Sequence, residues 1–275
     1  MTTHTHVERP VIIITGASAG IGEAAARELA RETRVIIVGR SPATKTIAQS
    51  LGVEYFRADF SKLADVRRLA VDLLAVCPRI DLLINNAGGI MKSLSPTKDG
   101  FEATFQVNYL AQFVLTQLLL SRLIASKGGV INTSSAAHLL GRVLLHDIQV
   151  ARRPFEAYSN SKLYDLLHAQ EISRRYGHKG VAAVSFHPGL VATSFAGKAT
   201  GPFAMLYNTP LKAILKSSAQ GADTLVWLAR HRDVWQPGGY YVNRKIARVR
   251  RIAQNPDAAR DVWDATEELL RPSTS

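Results

Sequence analysis

Val11-Ile12-Ile13-Ile14-Thr15-Gly16-Ala17-Ser18-Ala19-Gly20-Ile21-Gly22 runs from β-branched apolar residues into a loop whose glycines are spaced Gly-x-x-x-Gly-x-Gly. Ile21, Ala24, Ala25 and Leu29 then recur at helical spacing, so the segment reads as strand, tight loop and helix. Glycines at such a junction let backbone amides and the helix N-terminus approach a pyrophosphate, because no Cβ stands in the way. The alternation continues outward. Further short apolar runs at 34–38, 53–57, 80–84, 129–133, 181–186 and 240–242 bring the expected strands to seven. Helical patterns fall between them, over 63–73 with Ser61 as the expected cap, 102–124, 159–176 and 219–229. Strands that are apolar throughout and separated by helices predict an α/β fold, a parallel sheet covered on both faces.

Length and composition fit one domain over 1–275, since 275 residues with 47% hydrophobic content close one sizeable core. The first nine residues are polar and are expected to be a disordered tail, with no apolar signal segment. The greasiest stretch, 113–124, is interrupted by Gln117 and Arg122 and is short for a bilayer, so a soluble, cytoplasmic protein is expected. Cys77 is the only cysteine and rules out a disulfide within the chain. His4 and His6 sit in the tail and no cluster has ligand spacing, so no metal is expected. The net charge of +12 gathers at Arg152-Arg153, Arg174-Arg175 and 244–251. These clusters lack interleaved aromatics and read as solvated faces, which argues against a nucleic-acid partner.

The chemistry-bearing pattern is Tyr158-Ser159-Asn160-Ser161-Lys162. Residues four apart share a helix face, and an ammonium fixed beside a phenol favours the phenolate, so the pair suits proton transfer. Asn85-Asn86-Ala87-Gly88 follows one apolar strand and Ser134-Ser135 another. No Gly-x-Ser-x-Gly elbow is present, and His138, His146 and His187 have no spacing to a nucleophile, which excludes a serine hydrolase. Arg40 stands at the end of the second strand, where an acidic residue would take the adenosine ribose of NAD. An arginine there suits a 2′-phosphate, so NADP(H) is the expected cofactor.

With these pieces in this order, the chain resembles the short-chain dehydrogenase/reductase family over residues 10–270. Thr15 to Gly22 matches its TGxxxGIG, Asn85 to Gly88 its NNAG, Asn108 its active-site asparagine, Tyr158 to Lys162 its YxxxK, and His187-Pro188-Gly189 with Thr193 its PG motif. His146-Asp147, the long spacing from Ser135 to Tyr158, and Gln220-Gly221-Ala222-Asp223-Thr224 resemble its retinol-dehydrogenase-like branch. The resemblance implies a Rossmann-type, doubly wound fold and an oxidoreductase interconverting an alcohol and a carbonyl. It implies that Ser135 hydrogen-bonds the substrate oxygen, Tyr158 donates or accepts its proton, Lys162 holds the nicotinamide ribose, and Asn108 anchors a water in a proton relay. It also implies a cofactor site made of Thr15, Gly16, Ser18, Gly20, Ile21, Gly22, Arg40, Asp59, Phe60, Asn86, Ala87, Gly88, Tyr158, Lys162, Pro188, Gly189, Val191 and Thr193. Asp59 serves equally well as a cap for the next helix, and Asn85 and Asn86 as shapers of their turn.

Two long connections, 139–157 and 194–216, should overhang the cleft beyond the carboxyl ends of the strands. The second carries Phe195, Phe203, Met205, Leu206, Tyr207 and Leu211, and reads as a substrate-binding lid over a lipophilic carbonyl or alcohol. Lys198, Lys212 and Lys216 beside them allow at most peripheral membrane contact. A homo-oligomer is in keeping with the family. A non-catalytic NADP-sensing regulator or scaffold of the same fold is the alternative, disfavoured because Asn108, Ser135, Tyr158 and Lys162 are all present.

Overall fold

The computed structural model describes residues 9–191 and 215–271. The strands are β1 Val11–Thr15, β2 Arg34–Gly39, β3 Glu54–Arg57, β4 Leu82–Asn85, β5 Gly129–Thr133, β6 Ala182–His187, β7 Tyr240–Val242 and β8 Lys245–Ile246. They form one sheet in the order β3-β2-β1-β4-β5-β6-β7-β8, parallel except for β8. The helices are α1 Gly20–Leu29, α2 Ala43–Leu51, α3 Leu63–Val76, α4 Ala103–Ala125, α5 Pro154–Tyr176, α6 Ser218–Arg230 and α7 Pro256–Leu269. Alternate strand residues feed two cores. Ile13, Ile36, Leu83, Val130 and Ala183 pack under α3, α4, α5 and α7. Ile12, Ile14, Ile37, Ile84, Ile131 and Val184 pack under α1, α2 and α6. A period of two with both faces apolar is what a covered parallel sheet requires.

Three expectations need correction. An eighth strand closes the sheet where seven were expected: Asn243 and Arg244, at φ 50° and 62°, form a two-residue hairpin that pairs Val242 with Lys245. Both turn residues have positive φ, the geometry that matches strand twist. Arg244 tolerates it because its backbone N–H donates to Thr224 Oγ1 at 3.2 Å and its guanidinium grips Asp223. Next, Ser61 does not cap α3; the Leu63 N–H donates to Asp99 Oδ2 at 2.8 Å, a carboxylate from a distant loop. Finally, the stretch 113–124, expected to be short for a bilayer, is part of a helix that runs as expected from about 102 to 124, observed as Ala103–Ala125; the whole helix is long and apolar enough to cross a membrane, yet it packs within the core with Trp263, Tyr164 and Leu73. Helices α2 and α7 were also beyond the sequence pattern.

The strand order reverses between β1 and β4, so a crevice opens at their carboxyl ends, where α/β sheets bind ligands. Thr15, Asn85 and Thr133 end β1, β4 and β5 and bring their loops together there. The expected tail falls outside the described residues but for Arg9, and so do Thr193 and the lid except Leu215 and Lys216.

Candidate active site

The glycine loop is drawn tight against the loop after β4. Gly16 adopts φ +67°, and a Cβ on it would lie 2.6 Å from Ala87 Cα; a Cβ on Gly22 would lie 2.5 Å from Asn86 Nδ2 and 2.6 Å from the Gly16 carbonyl oxygen. Thr15 Oγ1 accepts the N–H groups of Asn86 at 2.9 Å and Ala87 at 3.0 Å, and Asn86 Nδ2 donates to the Thr15 carbonyl at 3.0 Å. The side chains of Thr15 and Asn86 thus hold the two loops together. Helix α1 opens at Ala19 with no side-chain cap, which leaves its first-turn amides directed at the crevice without a side-chain acceptor. A glycine cradle at an uncapped helix N-terminus fits a dinucleotide pyrophosphate.

Gly39, Arg40, Asp59 and Phe60 lie together at the ends of β2 and β3. The Arg40 side chain is 67% exposed, with its guanidinium 4.0 Å from Asp59 Oδ1, free to meet a ligand from solvent. Arg57 donates to the Arg40 backbone carbonyl at 3.2 Å and so braces this end of β2. Asp59 Oδ1 accepts from the N–H of Ser61 at 3.1 Å and its hydroxyl at 2.8 Å. Phe60 is buried in the core, so only its backbone is available at the crevice.

Helix α4 contains a π turn, Gln106–Leu110, centred on Asn108. Such bulges leave backbone groups outside the regular ladder and recur at functional sites. The Asn108 side chain itself is occupied: Oδ1 accepts the Gly89 N–H at 2.7 Å, while Nδ2 donates to Gly89 O and to Ser161 Oγ, each at 3.0 Å. It ties the loop after β4 to α5. Any water in a relay would meet the backbone of this turn rather than the Asn108 amide.

The two serines after β5 differ in kind. Ser134 is buried and donates to the Lys162 carbonyl at 2.7 Å, fastening the strand end to α5. Ser135 is half-buried and opens a short 3-10 turn, accepting the Ala137 N–H at 3.2 Å, with its hydroxyl proton left for a ligand. On α5, Tyr158 is half-buried and Lys162 is 5% exposed. The Lys162 Nζ sits 5.8 Å from the Tyr158 ring centroid and donates to the Thr133 carbonyl and to Asp165 Oδ2, each at 2.8 Å.

Residues without a motif complete the wall. Tyr240 lies near Tyr158, and burial pushes its phenol up, with a further push from Tyr158. His138 stacks edge-on against it at 4.7 Å between ring centroids and donates from Nδ1 to the Ser135 carbonyl at 2.7 Å. His187 Nδ1 accepts the Ala136 N–H at 3.3 Å; burial, then Lys216 and His138, lowers its pKa to about 4, so the ring is neutral. Gly189 takes φ +89° beside Lys216, and the side chains of Val191 and Ile21 both pack on Gly221. The connection after Ser135 is strapped to α5 by Asn160, which accepts the Arg142 N–H at 2.9 Å, and by Tyr164, which donates to Ile148 O at 2.9 Å. That strap leaves Leu139, Leu140 and Leu145 exposed. No spacing rule pointed to His138 or Tyr240, and His187 was visible only as the residue before Pro188-Gly189. Asp165 had one legible signal, its place three residues after Lys162 on the same helix.

Comparison with known proteins agrees with this geometry. A family model described as short chain dehydrogenase matches residues 10–201. A protein of Streptomyces sp. (strain C5) named as a daunorubicin C-13 ketoreductase is 40% identical, over 96% of this chain and 94% of that one. Retinol dehydrogenase 12 of Mus musculus is 36% identical over 98% of this chain and 89% of its own length. A crystal structure of an uncharacterised protein from Mycobacterium paratuberculosis superimposes with a TM-score of 0.78 at 30% identity, covering 95% of this chain and 93% of that one. The chain therefore belongs to the short-chain dehydrogenase/reductase family, in its retinol-dehydrogenase-like branch, as an oxidoreductase that interconverts alcohols and carbonyls with a nicotinamide cofactor.

Proposed function

We propose that this enzyme uses NADP(H) and acts on a lipophilic carbonyl or alcohol, with Tyr158 as the general acid or base. The observation that carries the reading is the half-buried Tyr158 phenol beside a nearly buried ammonium, one turn away on α5, at the carboxyl edge of β5. When bound, the nicotinamide supplies or takes the hydride at the substrate carbon. The protein's part concerns the oxygen. Ser135 Oγ donates a hydrogen bond to it, stabilising the negative charge that develops as the carbonyl is reduced. Tyr158 gives that oxygen its hydroxyl proton, is left as a phenolate opposite Lys162, and recovers a proton from solvent. Asp59, Arg40 and the glycine cradle would hold the adenosine half, and the Lys162 ammonium the ribose near the reacting end.

Exposed Arg40 at the end of β2 supports NADP over NAD. Leu139, Leu140 and Leu145, exposed on the connection that follows Ser135, support a lipophilic substrate, since several exposed apolar side chains in one segment favour a greasy ligand. The test is NADPH oxidation over short hydrophilic aldehydes, long-chain aldehydes, isoprenoid and polycyclic ketones. Lipophilic carbonyls should have the higher kcat/KM, and Tyr158→Phe should bind NADPH normally while losing roughly 10²–10⁴-fold in turnover. Hydrophilic aldehydes leading the panel, or Tyr158→Phe turning over near the parent rate, would overturn the corresponding half of the reading.

A further inference from the structure

Lys162 has a partner that the family motif does not contain. Its stem runs inward from α5, and the ammonium reaches the carbonyl that ends β5 and the carboxylate of Asp165, one turn on. Asp165 is only 1% exposed. Its own backbone is locked as well, because its carbonyl accepts from Asn132 Nδ2 at 2.8 Å. Asn132 Oδ1 in turn accepts from Asn85 Nδ2 at 3.0 Å and its Nδ2 contacts His168 Nδ1 at 3.2 Å, so strands β4 and β5 and helix α5 share one buried polar web.

Charge decides what this web does. The titratable groups that interact with Asp165 are Lys162 on α5 and Tyr109 on α4, and His168 joins the same web through Asn132. Burial lowers the His168 pKa to about 3 and raises the Tyr109 phenol, so both are neutral. Lys162 is then the one cation balancing Asp165 among the described residues. Burial pushes the Asp165 carboxyl up to about 6 while Lys162 opposes the rise, which leaves a carboxylate at neutral pH. An ammonium has three N–H donors, and two are committed to Thr133 and Asp165. The remaining donor is directed by the other two.

We propose that Asp165 is a positioning residue: its buried carboxylate clamps the Lys162 ammonium against the end of β5 and aims its free N–H at the cofactor and proton-transfer site. The inference rests on the reading of Tyr158 as the proton donor. One consequence follows for carbonyl reduction, which needs Tyr158 protonated. Removing the carboxylate lets the ammonium's field act on the phenol without compensation, which moves the alkaline limb of the pH profile to lower pH. Tyr240, which also faces Tyr158, is a neutral phenol, its pKa raised by burial.

The experiment uses the full chain and Asp165→Asn, which keeps shape and hydrogen-bonding capacity but not charge. With NADPH and any carbonyl the parent reduces, the alkaline limb of kcat should fall by about one pH unit or more. The NADPH dissociation constant, read by fluorescence titration without substrate, should rise several-fold. In a Lys162→Met background, Asp165→Asn should leave that dissociation constant unchanged, because the residue acts through the lysine. A folded Asp165→Asn protein with the parental limb and parental affinity overturns the proposal. So does an equal affinity loss with and without Lys162. If Asp165→Asn does not fold, a crystal structure of the parent with NADPH decides: a carboxylate still within hydrogen-bond distance of Nζ supports the clamp, and one turned away from it overturns the clamp. Tyr158→Phe is run alongside. A Tyr158→Phe enzyme that remains active refutes the acid assignment itself, whereas its loss with an unmoved Asp165→Asn refutes only the clamp.

Discussion

Replacing Arg40 by Asp tests cofactor preference in a place where the fold should not respond. Arg40 is 67% exposed, and its ion pair with Asp59 stretches to 4.0 Å, a contact of the kind that contributes at most about 1 kcal/mol and often nothing. The brace at this strand end comes from Arg57, which bonds the backbone carbonyl of residue 40 and is indifferent to its side chain. Stability should therefore barely change. Binding is another matter. A unit charge pair at contact contributes about 1 kcal/mol in water, and a phosphate monoester carries a charge of about −1.5 to −2, so losing the guanidinium removes about 2 kcal/mol. The new carboxylate adds repulsion of similar sign and smaller size, because its side chain is shorter. Physiological salt, with a Debye length of about 8 Å, trims the total to about 2 kcal/mol, or roughly 30-fold weaker NADP(H). NAD(H), which has no 2′-phosphate, should bind as before. The assay is fluorescence titration of both cofactors to parent and variant at two salt concentrations. The parental preference for NADP(H) should shrink as salt rises, and the variant's should not. A variant that binds the two cofactors in the parent's ratio, or a parent preference insensitive to salt, would refute the reasoning.

Gly22→Ala places a methyl group 2.5 Å from Asn86 Nδ2 and 2.6 Å from the Gly16 carbonyl, so the cradle must open; a stability loss of about 1–3 kcal/mol in denaturant melts and a clear fall in cofactor affinity are expected. His168 predicts a pH dependence of folding: its folded pKa of about 3 lies below the unfolded value of 6.5, so it favours the native state above pH 6.5 and takes stability away as pH falls from there toward about 3. The effect amounts to at most about 1.4 kcal/mol per pH unit, and the pH slope of stability between those limits should flatten in His168→Gln relative to the parent.

Much of this enzyme was legible along the chain. Apolar runs at strand length, separated by helical patterns, specify a covered parallel sheet because a strand buried on both faces has no polar side to show. Thr15 to Gly22 announced a dinucleotide cradle because only glycine admits a backbone that close, and Tyr158 with Lys162 announced proton chemistry because one helical turn joins them. These are local facts, carried by spacing within one element. The eighth strand was not legible, since its turn, Asn243-Arg244, lacks the glycine that usually marks a two-residue hairpin and relies on Asp223 and Thr224 from α6 to hold it. Helix α2 buries only Thr44 and Ala48, too little apolar surface to leave a pattern. The resemblance singled out Ser135, but nothing along the chain revealed that Ser134 is fastened to α5 or that the Asn108 amide is spent on Gly89 and Ser161. The clamp on Lys162 depends on how far α5 sits above β5, and the neutrality of His187 and His168 on how deeply the packed helices bury them. Distances between elements, and the exclusion of water that gives a buried charge its force, arise only when the sheet and helices close on one another.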